Sequence, residues 1–436
     1  MIRIDKARRK NERGITIVLV AFSLLALLGM AALAIDVSTL YMAHGEAQRA
    51  ADAAALAGAR MFAFSGYTTA PTSLAAADIC QTSATPGAPA AANRQAEAVA
   101  AQNLVAGQPA AVQTITCNMT ATDPQIAVTV QRTALPTFFG RIWGGTANSV
   151  TATAVAEAYN PSGSSAPIQV TGVKPWLVPN CDPTNAGSGD CTGGPDLVSP
   201  VDGSIQNNGA FVGKTITLND VGAGTPNVNI PIPGALDYYR ANIPNPPAPI
   251  CPSTSAVSCA QVGSDNYHDN IACSSTFQFS CGQTIGAGQP VFIAGGSPAL
   301  TDQGTQCLIH ASGQGTGLGQ DILADVAAPN PPITITGGDN NPNPLLQGAT
   351  NISRSDSVVT VPIYHSAANV NLCPGGACTG TGTIVGFMQL GITQNAAGGG
   401  RVEGVIMNVA GCNPGAGSPT VSGGGVSPIP VRLIHQ

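Results

Sequence analysis

Residues Ile15–Ile35, ITIVLVAFSLLALLGMAALAI, run for 21 positions without a charge. As an α-helix this stretch is roughly 31 Å long at ~1.5 Å per residue, matching a hydrocarbon core of about 30 Å. Before it stands MIRIDKARRKNER, in which Arg3, Lys6, Arg8, Arg9, Lys10 and Arg13 outnumber Asp5 and Glu12. After it the next basic residues are Arg49 and Arg60. The bias of Lys and Arg predicts a cytoplasmic N-terminus, with residues 36–436 across the membrane. No second apolar run of that length follows, so the expectation is a single-pass membrane protein. Two rival readings attach to the same run. Ala32-Leu33-Ala34 has the form of a signal-peptide cleavage site, although the run exceeds the usual ~7–15 residues of such a segment. Gly14 sits where a pilin leader would end, but Leu19 occupies the place of the glutamate such leaders require.

Outward from the span, DVSTLYMAHGEAQRAADAAALAGA occupies residues 36–59. Val37, Leu40, Tyr41, His44, Ala47 and Ala51 recur at helical spacing, and the alanine run favours helix strongly. One continuous rod to about Met61 is predicted, with a far end of small residues that admits a close neighbour. Residues 62–91 read as loop, and 93–105, NRQAEAVAAQNLV, as a short helix ended by Gly107 and Pro109. Alternation marks strands at Ala111–Met119, Gln125–Thr133 and Ser149–Ala158. Between the last two, LPTFFGRIW (135–143) reads as an apolar turn or short helix.

Asn160–Ala166, NPSGSSA, has linker composition. Beyond it, no segment shows a helical period. Short runs such as SVVTVPIYH, TIVGFMQLGIT and RVEGVIMNVAG alternate with Gly, Pro and Asn turns, the pattern of a β-sandwich or irregular barrel. Val385–Thr393 and Val402–Val409 are expected to pair as a hairpin. The whole is therefore read as α+β. A long transmembrane and juxtamembrane helix carries a small pilin-like α/β unit, followed by an all-β, loop-rich, disulfide-braced extracytoplasmic domain. The expected divisions are 1–14 cytoplasmic, 15–35 transmembrane, 36–159 helix plus small sheet, 160–166 linker and 167–436 β-rich.

Composition narrows the function. The 436 residues include 9% charged and 4% aromatic side chains, with 52 Gly and 34 Pro and a net charge of −6. Four lysines occur, Lys6, Lys10, Lys174 and Lys214, and no basic stripe follows the N-terminus, which argues against a nucleic-acid partner. All twelve cysteines lie beyond the apolar span, an even number that favours disulfides in an exported chain. Local pairing is expected for Cys181 with Cys191, Cys251 with Cys259, Cys273 with Cys281, and Cys373 with Cys378. No C-x-x-C occurs, which disfavours zinc and redox motifs.

Chemistry-bearing clusters are sparse. Asp265-Asn-Tyr-His268-Asp269 could supply an acid–base pair or metal ligands, but reads more simply as a solvated loop. Cys307 and His310 are the elements of a nucleophile pair, unless oxidation removes the thiol. Gly313–Gly319 lacks the Lys-Ser/Thr end of a phosphate loop, and no D-x-S-x-S metal-adhesion motif is present. No catalytic, metal or cofactor site is expected.

The basic start, Arg13-Gly14, the apolar span and AIDVSTLYMAHGEAQRAADAAALAGAR (34–60) together resemble the N-terminal segment of TadG-like Flp pilus-assembly proteins of the bacterial tight-adherence machinery. Ile35-Asp36-Val37 and QRAADAAALAG (48–58) carry the likeness most specifically. A weaker echo lies in residues 126–158. The resemblance implies a non-enzymatic component of pilus assembly or secretion, held in the lipid bilayer by residues 15–35, whose head meets other apparatus proteins. Asp36, Gln48, Arg49 and Asp52 carry it and are the assembly candidates. The alternatives are a surface adhesin or glycan-binding protein sharing the anchor, and, further off, an extracytoplasmic hydrolase.

Overall fold

The computed structural model describes residues 8–135, 139, 148–163, 168–184, 195–221, 234–244, 259, 265–293, 295, 297–313, 319–324, 334–366, 371–395, 398–413, 421–422 and 427–434. Helix α1 runs unbroken over Arg8–Phe64. It has no proline, and Gly29 and Gly45 face open space. Within its apolar half the hydroxyls of Ser23, Ser38 and Thr39 donate back to the carbonyls of Val20, Ala34 and Ile35, so these three need no outside partner. From Ile15 through Met42 the large apolar side chains other than the half-buried Leu40 are exposed, and Ile15, Phe22 and Met30 are each about 70% so. From Ala43 onward the helix is packed. Ala43, Ala47, Ala50, Ala51, Ala54, Ala55 and Ala59 form a buried small-residue face at three- and four-residue spacing.

That face meets a second helix and a sheet. After α2 (Ala76–Ile79) comes α3 (Ala91–Gln102), which buries Ala92, Ala96 and Ala100. A methyl on Gly58 would stand 2.7 Å from Ile126 Cδ1 and 3.3 Å from the Ala92 carbonyl, so glycine sets how closely α1 and α3 approach. A two-residue hairpin, β1 (Leu104–Val105) with β2 (Gln108–Pro109), follows. Strands β3 (Ala111–Asn118), β4 (Gln125–Leu135) and β5 (Asn148–Ala158) then pair antiparallel in sequence. Ile126, Val128 and Val130 are buried on the helix side, while Thr129 and Thr153 share a hydrogen bond on the outer face. The fourth strand of this sheet, Val431–Ile434, comes from the far end of the described chain and pairs with β5. The sheet therefore draws on both sides of the expected 160–166 linker. Asn160, in that linker, is buried, and 164–166 lie outside the described residues, as does most of the apolar 135–143 turn.

The remaining elements build a closed barrel and its fittings. In chain order they are β6 (Ile168–Val170), β7 (Trp176–Pro179), β8 (Thr215–Asp220), β9 (Ala235–Asn242), α4 (Asn266–Ala272), β10 (Phe279–Ser280), β11 (Thr284–Gly286) and β12 (Phe292–Ile293). Then follow α5 (Pro298–Leu308), β13 (Ile322–Ala324), β14 (Thr334–Thr336), β15 (Val358–His365), β16 (Thr381–Asn395), β17 (Val402–Gly411), β18 (Val421–Ser422) and β19, the Val431–Ile434 strand. Six of them close a ring in the order β16, β15, β7, β9, β8, β17 and back to β16. The β15–β7 and β8–β9 pairs are parallel and the other four antiparallel, which returns the ring to its starting direction. The expected hairpin is β16 with β17, paired out to Asn395 and Val402.

Apart from β8, whose burial alternates, these strands are buried on both sides, which explains why they read as continuous apolar runs. On β15, Val359, Val361 and Ile363 face the barrel interior, whereas Val358 and Tyr364 join the core outside it. Bulges at Val385 and Met407, each skipped in the pairing, exchange the two faces. Trp176 and Tyr238 meet inside with ring centroids 6.0 Å apart.

The expectation of no helix beyond residue 167 fails at α4 and α5. Asp265 caps α4 by accepting from the amides of Tyr267 and His268, and Ser297 caps α5 with Pro298 at its first position. The two helices cross at Gly304, whose Cβ position lies 2.9 Å from Ile271 Cβ, and send Tyr267, Ile271 and Leu308 into the barrel core. Packing and caps, not periodicity, make these helices. The disulfides also differ from the local scheme. Cys259 is joined to Cys307 and Cys281 to Cys412, rather than to their neighbours, and Cys80 to Cys117. Cys373 and Cys378 are joined. Cys181 and Cys273 are disulfide-bonded, while Cys191 and Cys251 lie outside the described residues. The longer pairs arise because folding brings distant segments together, which spacing along the chain does not record.

Candidate functional site

The four assembly candidates sit on one helix but not at one point. Asp36 stands where the apolar run ends, and its carboxylate accepts from the Phe139 amide at 3.1 and 3.3 Å, tying down the connection between β4 and β5. Three turns on, the Gln48 amide donates to the Asp52 carboxylate at 2.8 Å and to the Thr153 carbonyl at 3.3 Å, clipping α1 to the sheet. The structure thus joins Gln48 with Asp52 and leaves Asp36 apart. Arg49 points outward and is exposed. Glu46, which the sequence did not single out, accepts from the Ala106 amide at 2.7 Å and holds the β1–β2 turn. Its glutamate lies on the polar edge of the alanine face, a signal too common to distinguish it.

The end of α1 is locked to the barrel by a buried polar joint. The Asn408 side chain donates to the Ala63 carbonyl at 2.8 Å and to Gln389 Oε1 at 2.5 Å. Asn160 donates to the carbonyls of Thr68 (3.0 Å) and Val409 (3.1 Å), and the Ser162 hydroxyl accepts from the Gly411 amide at 2.7 Å. Gly66 has φ +72°, and a methyl there would strike the Met407 carbonyl at 2.3 Å, so only glycine fits the turn leaving the helix. A rod joined this way transmits its orientation to the barrel wall.

Beside the joint lies a cavity of about 500 Å³ between the end of α1, strands β15 and β16, and the 427–431 segment. Arg60 and Phe64 line it from the helix, Lys174 and Arg354 from the head, with Asp356 at one edge. The Arg60 guanidinium lies 5.4 Å over the Phe64 ring. Lys174, 3% exposed, donates to the carbonyls of Ile271 (2.8 Å) and Cys273 (2.9 Å) at the end of α4. Burial pulls its ammonium down to about 7, opposed by the Asp356 charge. Burial would raise the Asp356 carboxyl, but the His310 hydrogen bond and charge, with Lys174 and Arg354, hold it below the ordinary value.

The catalytic candidates change character. His268 is fully buried in the first turn of α4, not in a solvated loop, with Nδ1 3.1 Å from Asp269. Cys307 is in its disulfide with Cys259, so no thiolate faces His310, whose Nε2 stands 2.9 Å from Asp356. Among the described residues no group of three or more His, Cys, Asp or Glu side chains is gathered as a metal would require.

These features define a class: a disulfide-braced barrel carried on a long helical stalk whose first half is bare, apolar and long enough to cross a membrane. Residues 14–61 match the Tad family, described as "Putative Flp pilus-assembly TadE/G-like", and the match supports involvement in Flp pilus assembly. The resemblance read from residues 34–60 is thereby met over that segment, whereas the echo in 126–158 lies outside it. No curated protein and no solved structure matches the chain.

Proposed function

We propose that this chain is a non-enzymatic structural component of a Flp/Tad pilus-assembly apparatus. Residues 15–35 span the inner membrane, the N-terminus lies in the cytoplasm, and residues 36–436 project beyond the bilayer. The observation that carries this reading is the continuity of α1. The matched segment 14–61 contains both the bare apolar half and the packed alanine half, so one rigid element joins bilayer to head. Apolar side chains left exposed over five turns are costly in water and favourable in lipid. The sheet unit and the barrel then act as two linked parts of one head, with the joint at Asn160, Thr69 and Asn408 fixing the angle at which the barrel is presented. Partners meet the exposed side of α1 around Tyr41 and Arg49, and Asp36, Gln48 and Asp52 keep that side in register with the sheet.

The test is cross-linking in cells from a photoreactive residue at position 49, with captured proteins identified by mass spectrometry. Capture of Tad apparatus proteins supports the assembly role. Capture of none in piliated cells leaves a shared anchor and moves the reading to an adhesin.

A further inference from the structure

The cavity beside the joint has a charge balance that protein folding alone does not require. Three cations, Arg60, Lys174 and Arg354, border one space of about 500 Å³, a volume in the ordinary range for small-molecule sites. One carboxylate, Asp356, shares it and is already engaged by His310 at 2.9 Å. Among the described residues neither Arg60 nor Arg354 takes part in an ion pair or a hydrogen bond, and the Arg354 charge acts on Arg60 repulsively. The Asp356 charge acts on both Lys174 and Arg354, so one carboxylate is set against three basic side chains and leaves a surplus of cations around the space. The walls between them carry apolar faces from Leu56, Phe64, Leu308, Val358 and Ile429, beside polar groups of Ser274, Ser355, Gln389 and Ser427. Apolar walls with a few convergent charged donors are the make-up of a site for a ligand with an apolar body and a charged head.

We propose that this cavity binds a small amphipathic oxyanion, a carboxylate or phosphate on an apolar body, with its head between Arg60 and Arg354. Guanidinium groups suit this task because their planar donors meet two oxygens at once. The buried Lys174 closes the inner end, its ammonium held by the Ile271 and Cys273 carbonyls. A ligand seated there touches α1, the barrel wall at Val359 and Gln389, and the segment leading to β19. It therefore braces the stalk against the head. Leu56 and Arg60 belong to the matched segment, but the inference uses their place in the cavity and not the family likeness, so it stands apart from the pilus reading.

Titration calorimetry on the full chain in a non-ionic detergent, with phenyl phosphate, benzoate, inorganic phosphate and phenol at constant ionic strength, tests it. Phenyl phosphate or benzoate is expected to bind one to one, inorganic phosphate at least tenfold more weakly, and phenol not at all. The anion that binds better names the head group. Arg354→Gln and the Arg60→Gln/Arg354→Gln pair should weaken binding at least tenfold. Arg354 is exposed and unbonded, so the single variant reports binding without threat to folding, and its ligand-free melting temperature should equal or exceed that of the parent. Lys214→Gln, at an exposed lysine that does not line the cavity, serves as the control. Absence of saturable binding by any anion, or undiminished binding by Arg354→Gln and the double variant, overturns the proposal.

Discussion

The Thr69 hydroxyl donates to the Val409 carbonyl at 3.0 Å and accepts from the Val409 amide at 3.1 Å. A side chain from the turn after α1 thus stands in for a strand neighbour at the point where β17 meets the stalk. Thr69→Val keeps the shape and removes both bonds. Asn160 still reaches the Val409 carbonyl, but the amide is left buried without a partner. The expected loss is about 1–3 kcal/mol, read from the urea midpoint of the full chain in detergent. A midpoint unchanged within error would mean the joint is not a stabilising contact.

Gly58 separates α1 from α3 by the width of a hydrogen. Gly58→Ala gains about 1 kcal/mol of helix propensity and must push Ile126 Cδ1 aside, so the two effects should nearly cancel. Gly58→Leu cannot be accommodated and should cost about 3 kcal/mol or more by forcing the helices apart. Thermal melts of the two variants distinguish the cases, and equal stability for both would show that the helices are not in close contact.

The disulfides should contribute unequally. Cys281–Cys412 spans 131 residues and Cys373–Cys378 spans 5. On the chain-entropy account these correspond to about 5 and about 2 kcal/mol. Replacing each pair by alanine and comparing denaturation midpoints should rank them in that order; the reverse order would point to native-state effects at the short loop.

Lys174 imposes a pH dependence. Its folded value is about 7, from burial with the Asp356 charge opposing, while an unfolded lysine titrates near ~10.4. Between those values the unfolded chain holds a proton that the folded chain lacks, so this group lowers stability as pH falls from about 10 to 7 and adds no further change below. Urea midpoints at pH 6, 8 and 9.5 should rise with pH more steeply in the parent than in Lys174→Met. Parallel profiles would show that the lysine is not desolvated in the fold.

Arg49 is exposed and Asp52 is bonded to Gln48, so the two should respond differently. Arg49→Glu is expected to leave stability within about 0.5 kcal/mol while reducing pilus assembly in cells. Asp52→Leu should loosen the Gln48 clip and affect both. Normal piliation with Arg49→Glu would exclude that side of the helix from partner contact.

The stalk was legible in the sequence because it is local: charge, length and alanine spacing determine a helix wherever it goes. Strands β3, β4 and β5 and the β16–β17 hairpin were legible for the same reason, through alternation or an adjacent turn. What the residues did not disclose depends on contacts across the chain. The ring closes through parallel pairs, β15 with β7 and β8 with β9, which no turn announces. Helix α5, PALTDQGTQCL, is held by its cap and by the fit of Gly304 on Ile271, against poor intrinsic propensity. Lys174 appeared only as one of four lysines, and it shares a cavity with Arg60 and Arg354 only once three remote segments meet.

Strand β19 completes the sheet on which the stalk rests, yet it is made far later than its partner β5. Until residues 431–434 arrive, β5 presents an unpaired edge able to recruit another chain. A polypeptide cut short before that strand therefore carries its defect in the sheet packed on α1, far along the chain from the missing residues.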